Sequence, residues 1–270
     1  MKKKLLFISK IIITIILLYY IVKLVDIKKF YSTITTVNIY IFLGGFLFTV
    51  PIIFLRSFKW KLLINGSREK ISMFNSVKSI LGGLCLGILT PGRVGEVSRS
   101  LFIPDIDKVE IGGLVIIDRM IDLLVILMLS VPGVLILLDS LPLKVFLFFT
   151  IAAILIFLFS KTLRKRLFSL FNKSKFTIIK KISNGFNLYS KFTHRTIALV
   201  FILTLLMYLL AFIQFYIILL SFSSINFIKV TMAFPLIQFM SVIPITLFGL
   251  GLREGSAIYL LKNYVEPSVA

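Results

Sequence analysis

The chain has 270 residues, of which 59% are hydrophobic, and its formal net charge is +20. Its mean hydropathy of +1.04 exceeds that of a soluble domain of this size, so an all-α polytopic membrane protein is expected. The basic residues stand in blocks between apolar runs, which favours anionic lipid headgroups as partners and excludes nucleic acid. One cysteine and one histidine supply neither a metal-ligand set nor a catalytic triad, so no metal or cofactor is expected.

Two apolar segments open the chain. Residues 5–22 predict an uncleaved first transmembrane helix with a cytoplasmic amino terminus, because lysines precede the run and no small-residue cleavage site follows it. Residues 39–55 predict a second transmembrane helix. This helix is expected to end in a basic and aromatic belt at the membrane interface, formed by Arg56, Lys59, Trp60 and Lys61.

A broken helix follows. An apolar helix at 71–89, whose Gly83 and Gly87 suit close helix packing, stops at Thr90-Pro91-Gly92. Threonine is a favoured N-cap and proline is best tolerated at the first helical position, so a new helix is expected to begin there. A segment that enters the membrane, breaks and returns to the same face fits this pattern best, and an ordinary third span is the alternative.

The new helix carries charges in an apolar setting. Arg93, Glu96 and Arg99 follow at spacings of three and therefore share one helix face. Each charge costs about 2.5–3.5 kcal/mol at a bilayer centre on insertion scales, which implies pairing, a water-filled cavity or a functional role. The alternative is a cytoplasmic loop in which these charges are solvated.

A second charged group opens the next predicted span, at 112–138. Asp118 and Asp122 are one helical turn apart and share a face. They either balance Arg93 or Arg99 within a cavity or pair with neighbouring arginines at the headgroup level, and the first interpretation is favoured.

The middle of the chain predicts a returning span at 143–159, a basic linker at 160–196 and the clearest span at 197–220. The linker carries ten Lys and Arg. It is interpreted either as an amphipathic helix lying on an anionic leaflet or as a solvated loop that only fixes topology.

The distribution of basic residues predicts the topology. With the amino terminus inside, the cytoplasmic segments are 1–10, 56–119 and 160–196. They carry 24 of the 31 Lys and Arg residues, as the positive-inside rule expects.

The carboxyl-terminal part repeats the earlier break. An apolar helix at 225–243 ends at Pro244 and is followed by a glycine-rich stretch with an adjacent Arg253-Glu254 pair. We therefore expect a single domain of about five full transmembrane helices plus two discontinuous, re-entrant segments in an inverted-repeat arrangement. The repeat units are predicted at about 39–100 and 197–262, joined by the spans within 111–159 and the linker.

Three motifs stand out in this sequence: residues 90–96 with Arg99, the pattern Asp118-Arg119-x-x-Asp122, and residues 249–255. They resemble the signatures of the lysylphosphatidylglycerol synthase transmembrane (flippase-like) family, in matching order over nearly the whole chain. That family includes the membrane half of bacterial aminoacyl-phosphatidylglycerol synthases. The resemblance implies a polytopic helical fold and, for the best understood members, movement of lipid between leaflets. The motif residues are the candidate substrate-binding residues: Thr90, Pro91, Gly92, Arg93, Gly95, Glu96, Arg99, Asp118, Arg119, Asp122, Gly249, Gly251, Arg253, Glu254 and Gly255.

The favoured function is a plasma-membrane translocase for an anionic or phosphate-bearing lipid, either an (aminoacyl-)phospholipid or a polyprenyl-phosphate-type lipid. Arg93, Arg99 and Arg253 are expected to bind the headgroup phosphate together with helix amino termini. The acidic residues would neutralise these arginines in the empty site or recognise a headgroup amine. With no nucleotide-binding motif in the sequence, an ion gradient or the lipid's own gradient would drive transport.

Two alternatives stay open. The protein could be the membrane component of a lysylphosphatidylglycerol synthase or other lipid-modifying transferase system, or a non-transporting accessory protein that recruits such an enzyme. The soluble aminoacyl-transferase domain of the two-part members is not found in this sequence, so the chain is not expected to be an enzyme by itself. The sequence stops at 270, where family members usually begin further apolar helices, which predicts a truncated or unusually short form.

Overall fold

A computed structural model gives the fold. It describes residues 2–25, 27–66, 70–88, 90–103, 108–137, 192–222, 224–242 and 249–262, together with isolated positions between 141 and 160 and at 246, 264–265 and 269. Every regular element in these residues is helical, which confirms the all-α class. The helices are α1 (Lys2–Leu24), α2 (Ile27–Thr35), α3 (Ile39–Leu47), α4 (Thr49–Asn65), α5 (Met73–Ile88), a 3₁₀-helix (Pro91–Phe102), α6 (Lys108–Leu137), α7 (His194–Leu220), α8 (Phe227–Val242) and α9 (Leu252–Leu261).

Three segments of the described chain are long and apolar enough to cross a membrane: Ile39–Asn65, Ile111–Leu137 and His194–Leu220. Each has 27 residues, which corresponds to about 40 Å of helix and exceeds the hydrocarbon thickness of a bilayer. They coincide with three predicted spans. The predicted first span coincides with α1, and α8 is a shorter apolar helix.

The second span is longer than the sequence predicts, and the predicted interfacial belt is wrong. No proline or glycine occurs between Leu55 and Gly66, so the helix continues ten residues further, to Asn65. Lys59 and Trp60, which were expected among lipid headgroups, are completely buried. Leu63 and Ile64 are buried beside them, so this last part of α4 belongs to the protein core.

The core surrounds the first half of α6. Its apolar residues come mainly from α4, α6 and the start of α7, and they include Trp60, Leu114, Ile117, Ile121 and Val200. Polar bonds tie α4 to its neighbours: within this core the Trp60 indole N–H donates to the Ser79 hydroxyl of α5 at 3.0 Å, and at the first residue of α4 the Gln214 side chain of α7 donates to Thr49 at 2.8 Å. The first half of α6 is therefore packed among buried apolar side chains, which is the setting of the charged side chains described below.

The first broken unit is a helical hairpin. The 3₁₀-helix runs back along α5, and both helices are about 24 Å long, because a 3₁₀-helix rises about 2.0 Å per residue and an α-helix 1.5 Å. A Cβ atom on Gly83 would lie 2.6 Å from the Arg99 Cβ, and one on Gly87 would lie 2.5 Å from the Glu96 Cγ. The predicted use of these two glycines for close helix packing is thus confirmed, and they let the charged face of the 3₁₀-helix approach α5.

The second broken unit has a similar outline. Like α5, α8 has 16 residues, and α9 packs on α8 after the break. Gly249 and Gly251 in this break have φ angles of +76° and +81°, a backbone conformation that favours glycine. The relation of the two units by an inverted repeat stays a prediction. Most of the span predicted at 143–159, and all of the linker from 161 to 191, lie outside the described residues.

Candidate functional site

Charged side chains from three helices meet in the core. We call this group the charge cluster: Arg56 and Lys59 from α4, Glu96 and Arg99 from the 3₁₀-helix, and Asp118, Arg119 and Asp122 from α6.

Lys59 occupies the centre of the charge cluster. Its ammonium lies 2.8 Å from Asp118 Oδ1 and 2.5 Å from Asp122 Oδ1. All three side chains are almost fully buried, with exposed fractions of 1%, 0% and 4%. The two carboxylates face the same way because they are one turn apart on α6, and this places a single ammonium between them. Lys59 is therefore a buried ion held by two opposite charges.

Arg99 binds the other oxygen of Asp118. Its Nη2 lies 2.6 Å from Asp118 Oδ2, and its guanidinium carbon lies 4.1 Å from the centre of the Trp60 ring. The Ser79 hydroxyl donates to the Arg99 carbonyl at 2.7 Å, which fixes the backbone beneath the side chain. A planar guanidinium stacked on an indole and paired with a carboxylate suits a buried site.

Glu96 links the remaining arginines. Its Oε2 atom accepts from Arg56 Nη2 at 3.2 Å and also pairs with Arg119 Nη2. Arg119 Nη1 lies 3.3 Å from Asp122 Oδ2, so Arg119 connects this part of the charge cluster to Lys59. The side chain of Glu96 is 5% exposed, whereas those of Arg56 and Arg119 are 15% and 32% exposed. The charge cluster therefore opens to its surroundings at the two arginines.

The charge cluster does not balance its own charges. Its four basic side chains face three carboxylates, which leaves one positive charge in excess among the described side chains. Five buried guanidinium nitrogens of the charge cluster also have no hydrogen-bond partner in the described chain: Arg56 Nε, Arg99 Nε, Arg99 Nη1, Arg119 Nε and Arg119 Nη2, of which the last still forms an ion pair with Glu96. The carboxylate oxygens Asp118 Oδ1 and Asp122 Oδ2 likewise form ion pairs without a hydrogen bond. Uncompensated charge and unpaired guanidinium donors are costly away from water, so this site is chemically suited to an anion. The described residues include no group of His, Cys, Asp and Glu that could hold a metal ion.

The Thr90-Pro91-Gly92 motif shapes the turn that presents Glu96 and Arg99. Thr90 has extended backbone angles, as expected of an N-cap, but its hydroxyl accepts from the Gly95 N–H at 2.5 Å and contacts the Leu86 carbonyl at 3.0 Å. A Cβ atom on Gly95 would collide with that carbonyl. The helix that begins at Pro91 is a 3₁₀-helix, in which side chains three residues apart eclipse one another. This geometry stacks Glu96 directly over Arg99.

The structure brings together five predicted site residues and separates others from them. Glu96, Arg99, Asp118, Arg119 and Asp122 all belong to the charge cluster. Asp118 pairs with Arg99, one of the two arginines expected to balance the aspartates, whereas Asp122 pairs with Lys59 and Arg119 instead. The side chains of Pro91 and Arg93 lie outside the described residues.

The motif at residues 249–255 forms a local structure at the start of α9. The Glu254 carboxylate accepts from the Gly251 N–H at 2.8 Å and from two nitrogens of Arg253, at 2.9 and 3.2 Å. Arg253 is 51% exposed. Because α9 packs mainly on α8 and α1, whereas the 3₁₀-helix packs on α5 and α6, this pair stands apart from the charge cluster. Gly255, whose Cβ position is open, belongs to the same helix start.

Sequence reasoning missed two members of the charge cluster, Arg56 and Lys59. They were assigned to the interfacial belt because aromatic and basic residues are typical of a span's end. Two signals could have identified them: no proline or glycine lies between Leu55 and Gly66, and a spacing of three places both side chains on one face of α4.

The fold and the charge cluster define the class of this molecule: an all-α membrane protein with paired, buried charges in its core. Over residues 7–270 the chain matches the family described as "Lysylphosphatidylglycerol synthase TM region". The chain belongs to that family, whose description implies a membrane protein that takes part in lipid-related processes. Comparisons with curated proteins and with solved structures gave no significant match.

Proposed function

We propose that the protein moves an anionic, phosphate-bearing lipid between membrane leaflets. The observation that carries this proposal is the excess positive charge of the charge cluster, which lies in an apolar bundle and is accessible at Arg56 and Arg119. Arginine is the residue best suited to bind phosphate oxygens in pairs, and it stays charged in any environment of this kind. An (aminoacyl-)phospholipid and a polyprenyl-phosphate-type lipid both offer this phosphate.

The arrangement of the aspartates favours the phosphate over a headgroup amine as the group recognised. Asp118 and Asp122 could in principle hold an amine, but the Lys59 ammonium already lies within 2.8 Å of both. A substrate amine would have to displace a lysine that is 1% exposed and leave it unpaired in the core. We therefore assign these aspartates to charge compensation.

The rest of the arrangement follows the expectations from the sequence. The two broken units form an inverted repeat in one membrane domain, with the amino terminus on the cytoplasmic side of the plasma membrane. The equal lengths of α5 and α8 and the packing of each on the helix after its break support this repeat. We expect both Arg93 and Arg253 to approach a bound phosphate, which requires the second broken unit to move, because Arg253 stands apart from the charge cluster.

Reconstitution of the purified protein into vesicles with labelled phosphatidylglycerol tests this function. The wild type should exchange the labelled lipid between leaflets, whereas Arg93→Ala and Arg253→Ala should each abolish exchange without loss of folded protein. Arg93→Lys should restore only part of the rate, because an ammonium lacks the two-pronged contact. Arg195→Ala is the matched control, since Arg195 is exposed at the start of α7 and lies outside the motifs.

The same exchange assay distinguishes a translocase from the two alternative functions. A membrane component of a transferase system, or an accessory protein that recruits an enzyme, would leave the lipid distribution unchanged when reconstituted alone. If Arg93→Ala exchanged lipid at the normal rate, Arg93 would not contact the transported lipid and the translocation site would lie elsewhere.

A further inference from the structure

We propose that the Glu96 carboxylate is a resident occupant of the anion site between Arg56 and Arg119, and that a lipid phosphate displaces it on binding. This inference rests on the proposed function and specifies how the same site is kept closed when it holds no lipid. The ligand chemistry is a phosphate oxyanion carried by a lipid.

The first argument is the convergence of two arginines on one oxygen. Arg56 from α4 and Arg119 from α6 both bind Oε2 of Glu96, although they come from different helices. Two guanidinium groups around one oxygen is an arrangement that a phosphate oxygen can adopt equally well. A phosphate brings further oxygens, and the unpaired donors Arg56 Nε and Arg119 Nε belong to the same two side chains.

The second argument is access. Arg119 and Arg56 are the two most exposed members of the charge cluster, whereas Asp118 and Lys59 beneath them are closed off. An incoming anion therefore meets the arginines that hold Glu96 before any other charge. Displacing Glu96 leaves the inner ion pairs of Lys59 and Arg99 intact.

The third argument is the way Glu96 is held. Its Cγ lies 2.5 Å from the position that a Cβ of residue 87 would take, so the absence of a side chain at Gly87 makes room for it against α5. Apart from the two arginines, no charged group of the described chain pairs with Glu96. Glu96 is therefore held by two partly exposed arginines, whereas Lys59 and Arg99, the two cations that hold Asp118, are each only 1% exposed.

Because the Glu96 carboxylate competes with the lipid phosphate for the two arginines, it lowers the apparent affinity of the site for the phosphate. Replacing the carboxylate with an amide keeps the shape of the side chain but removes the charge that the phosphate must displace. Glu96→Gln should therefore bind phosphatidylglycerol more tightly than the wild type does. If Glu96 were only a structural ion-pair partner, the same substitution would disorder the arginines and weaken binding.

Trp60 provides a built-in probe for the experiment. It is the only tryptophan, it is completely buried, and its ring stacks on Arg99 of the charge cluster. We would titrate phosphatidylglycerol into phosphatidylcholine micelles that contain the full chain and follow Trp60 fluorescence. Asp26→Asn, a charge removal between α1 and α2, is the control, and inorganic phosphate in solution is a second titrant.

The expected result is a half-saturating fraction of phosphatidylglycerol about tenfold lower for Glu96→Gln than for the wild type and for Asp26→Asn. Glu96→Asp, which keeps the charge but withdraws it from the arginines, should fall between them and guards against misfolding of the amide variant. Inorganic phosphate should compete only weakly, because it lacks the lipid chains. Unchanged or weaker binding by both Glu96 variants overturns the displacement. Saturation by inorganic phosphate as readily as by phosphatidylglycerol overturns the assignment to a lipid.

The two proposals fail in different ways. If Glu96→Gln tightens binding but the wild type does not exchange lipid, the anion site stands and the translocase does not. If the wild type exchanges lipid but Glu96→Gln binds no more tightly, only the displacement is refuted.

Discussion

Replacement of Lys59 by methionine tests the centre of the charge cluster. Lys59→Met keeps an unbranched apolar side chain as long as the lysine stem but removes the ammonium that lies between Asp118 and Asp122. The two carboxylates, one turn apart on α6, would then face each other without the charge that separates them. The protein is expected to be less stable.

The size of the expected loss of unfolding free energy depends on the ion-pair partners that the two carboxylates retain. Removing one partner of a buried ion pair costs about 3–5 kcal/mol of unfolding free energy. Asp118 still has Arg99 at 2.6 Å, and Asp122 still has Arg119 at 3.3 Å. Because neither carboxylate is left alone, we expect a loss near the lower end, about 3 kcal/mol. The double variant Lys59→Met/Asp122→Asn should recover at least about 1 kcal/mol, because it removes both charges of one pair.

Unfolding in mixed micelles by increasing fractions of denaturing detergent, followed by Trp60 fluorescence, would measure these differences. Lys229→Met is the matched control. Lys229 is a half-buried lysine on α8 that donates to the Tyr264 hydroxyl at 3.0 Å and lies 4.4 Å from that ring's centre. It has no carboxylate partner in the described structure, so its loss should cost no more than about 1 kcal/mol.

Equal shifts for Lys59→Met and Lys229→Met would refute the reasoning. Lys59 would then be a solvated residue at the membrane interface, as the composition of α4 predicts, and the buried triad with Asp118 and Asp122 would not exist. A double variant less stable than either single variant would show that Asp122 stabilises α6 through Arg119 instead.

Two further predictions concern the turn and the topology. Gly95→Ala should lower the unfolding free energy by about 1–3 kcal/mol in the same assay, because the added methyl meets the Leu86 carbonyl. Gly44→Ala is the control and should be neutral or slightly stabilising, since its Cβ position is open. Equal effects of the two substitutions would mean that α5 and the 3₁₀-helix do not pack this closely. In intact cells of a Cys85→Ser background, a cysteine placed in the 164–181 stretch should be protected from membrane-impermeant thiol reagents and one near Ser140 should be labelled; labelling of the basic stretch from outside would reverse the topology.

The sequence by itself determined the class of the protein and the positions of its main helices. Apolar runs long enough to span a bilayer predicted the spans that became α3 with α4, α6 and α7, because hydrophobic length is a local property of the chain. Local chemistry also located the break at Thr90-Pro91-Gly92, since proline and glycine act through their own backbone. Gly83 and Gly87 predicted a close neighbour for α5 without identifying that neighbour.

Only the tertiary structure decided how the charges pair. Glu96 and Glu254 each follow a proline, a glycine-containing turn and an arginine, yet Glu96 binds arginines of two other helices and Glu254 stays within its own helix start. The interactions that build the charge cluster join residues 40 positions apart, for Arg56 and Glu96, and 63 apart, for Lys59 and Asp122. Ion pairs depend on distance in space, and partners so far apart in sequence leave no periodic signal. The composition of α4 therefore predicted that its basic residues contact lipid headgroups, whereas in the folded protein Arg56 and Lys59 lie in the charge cluster.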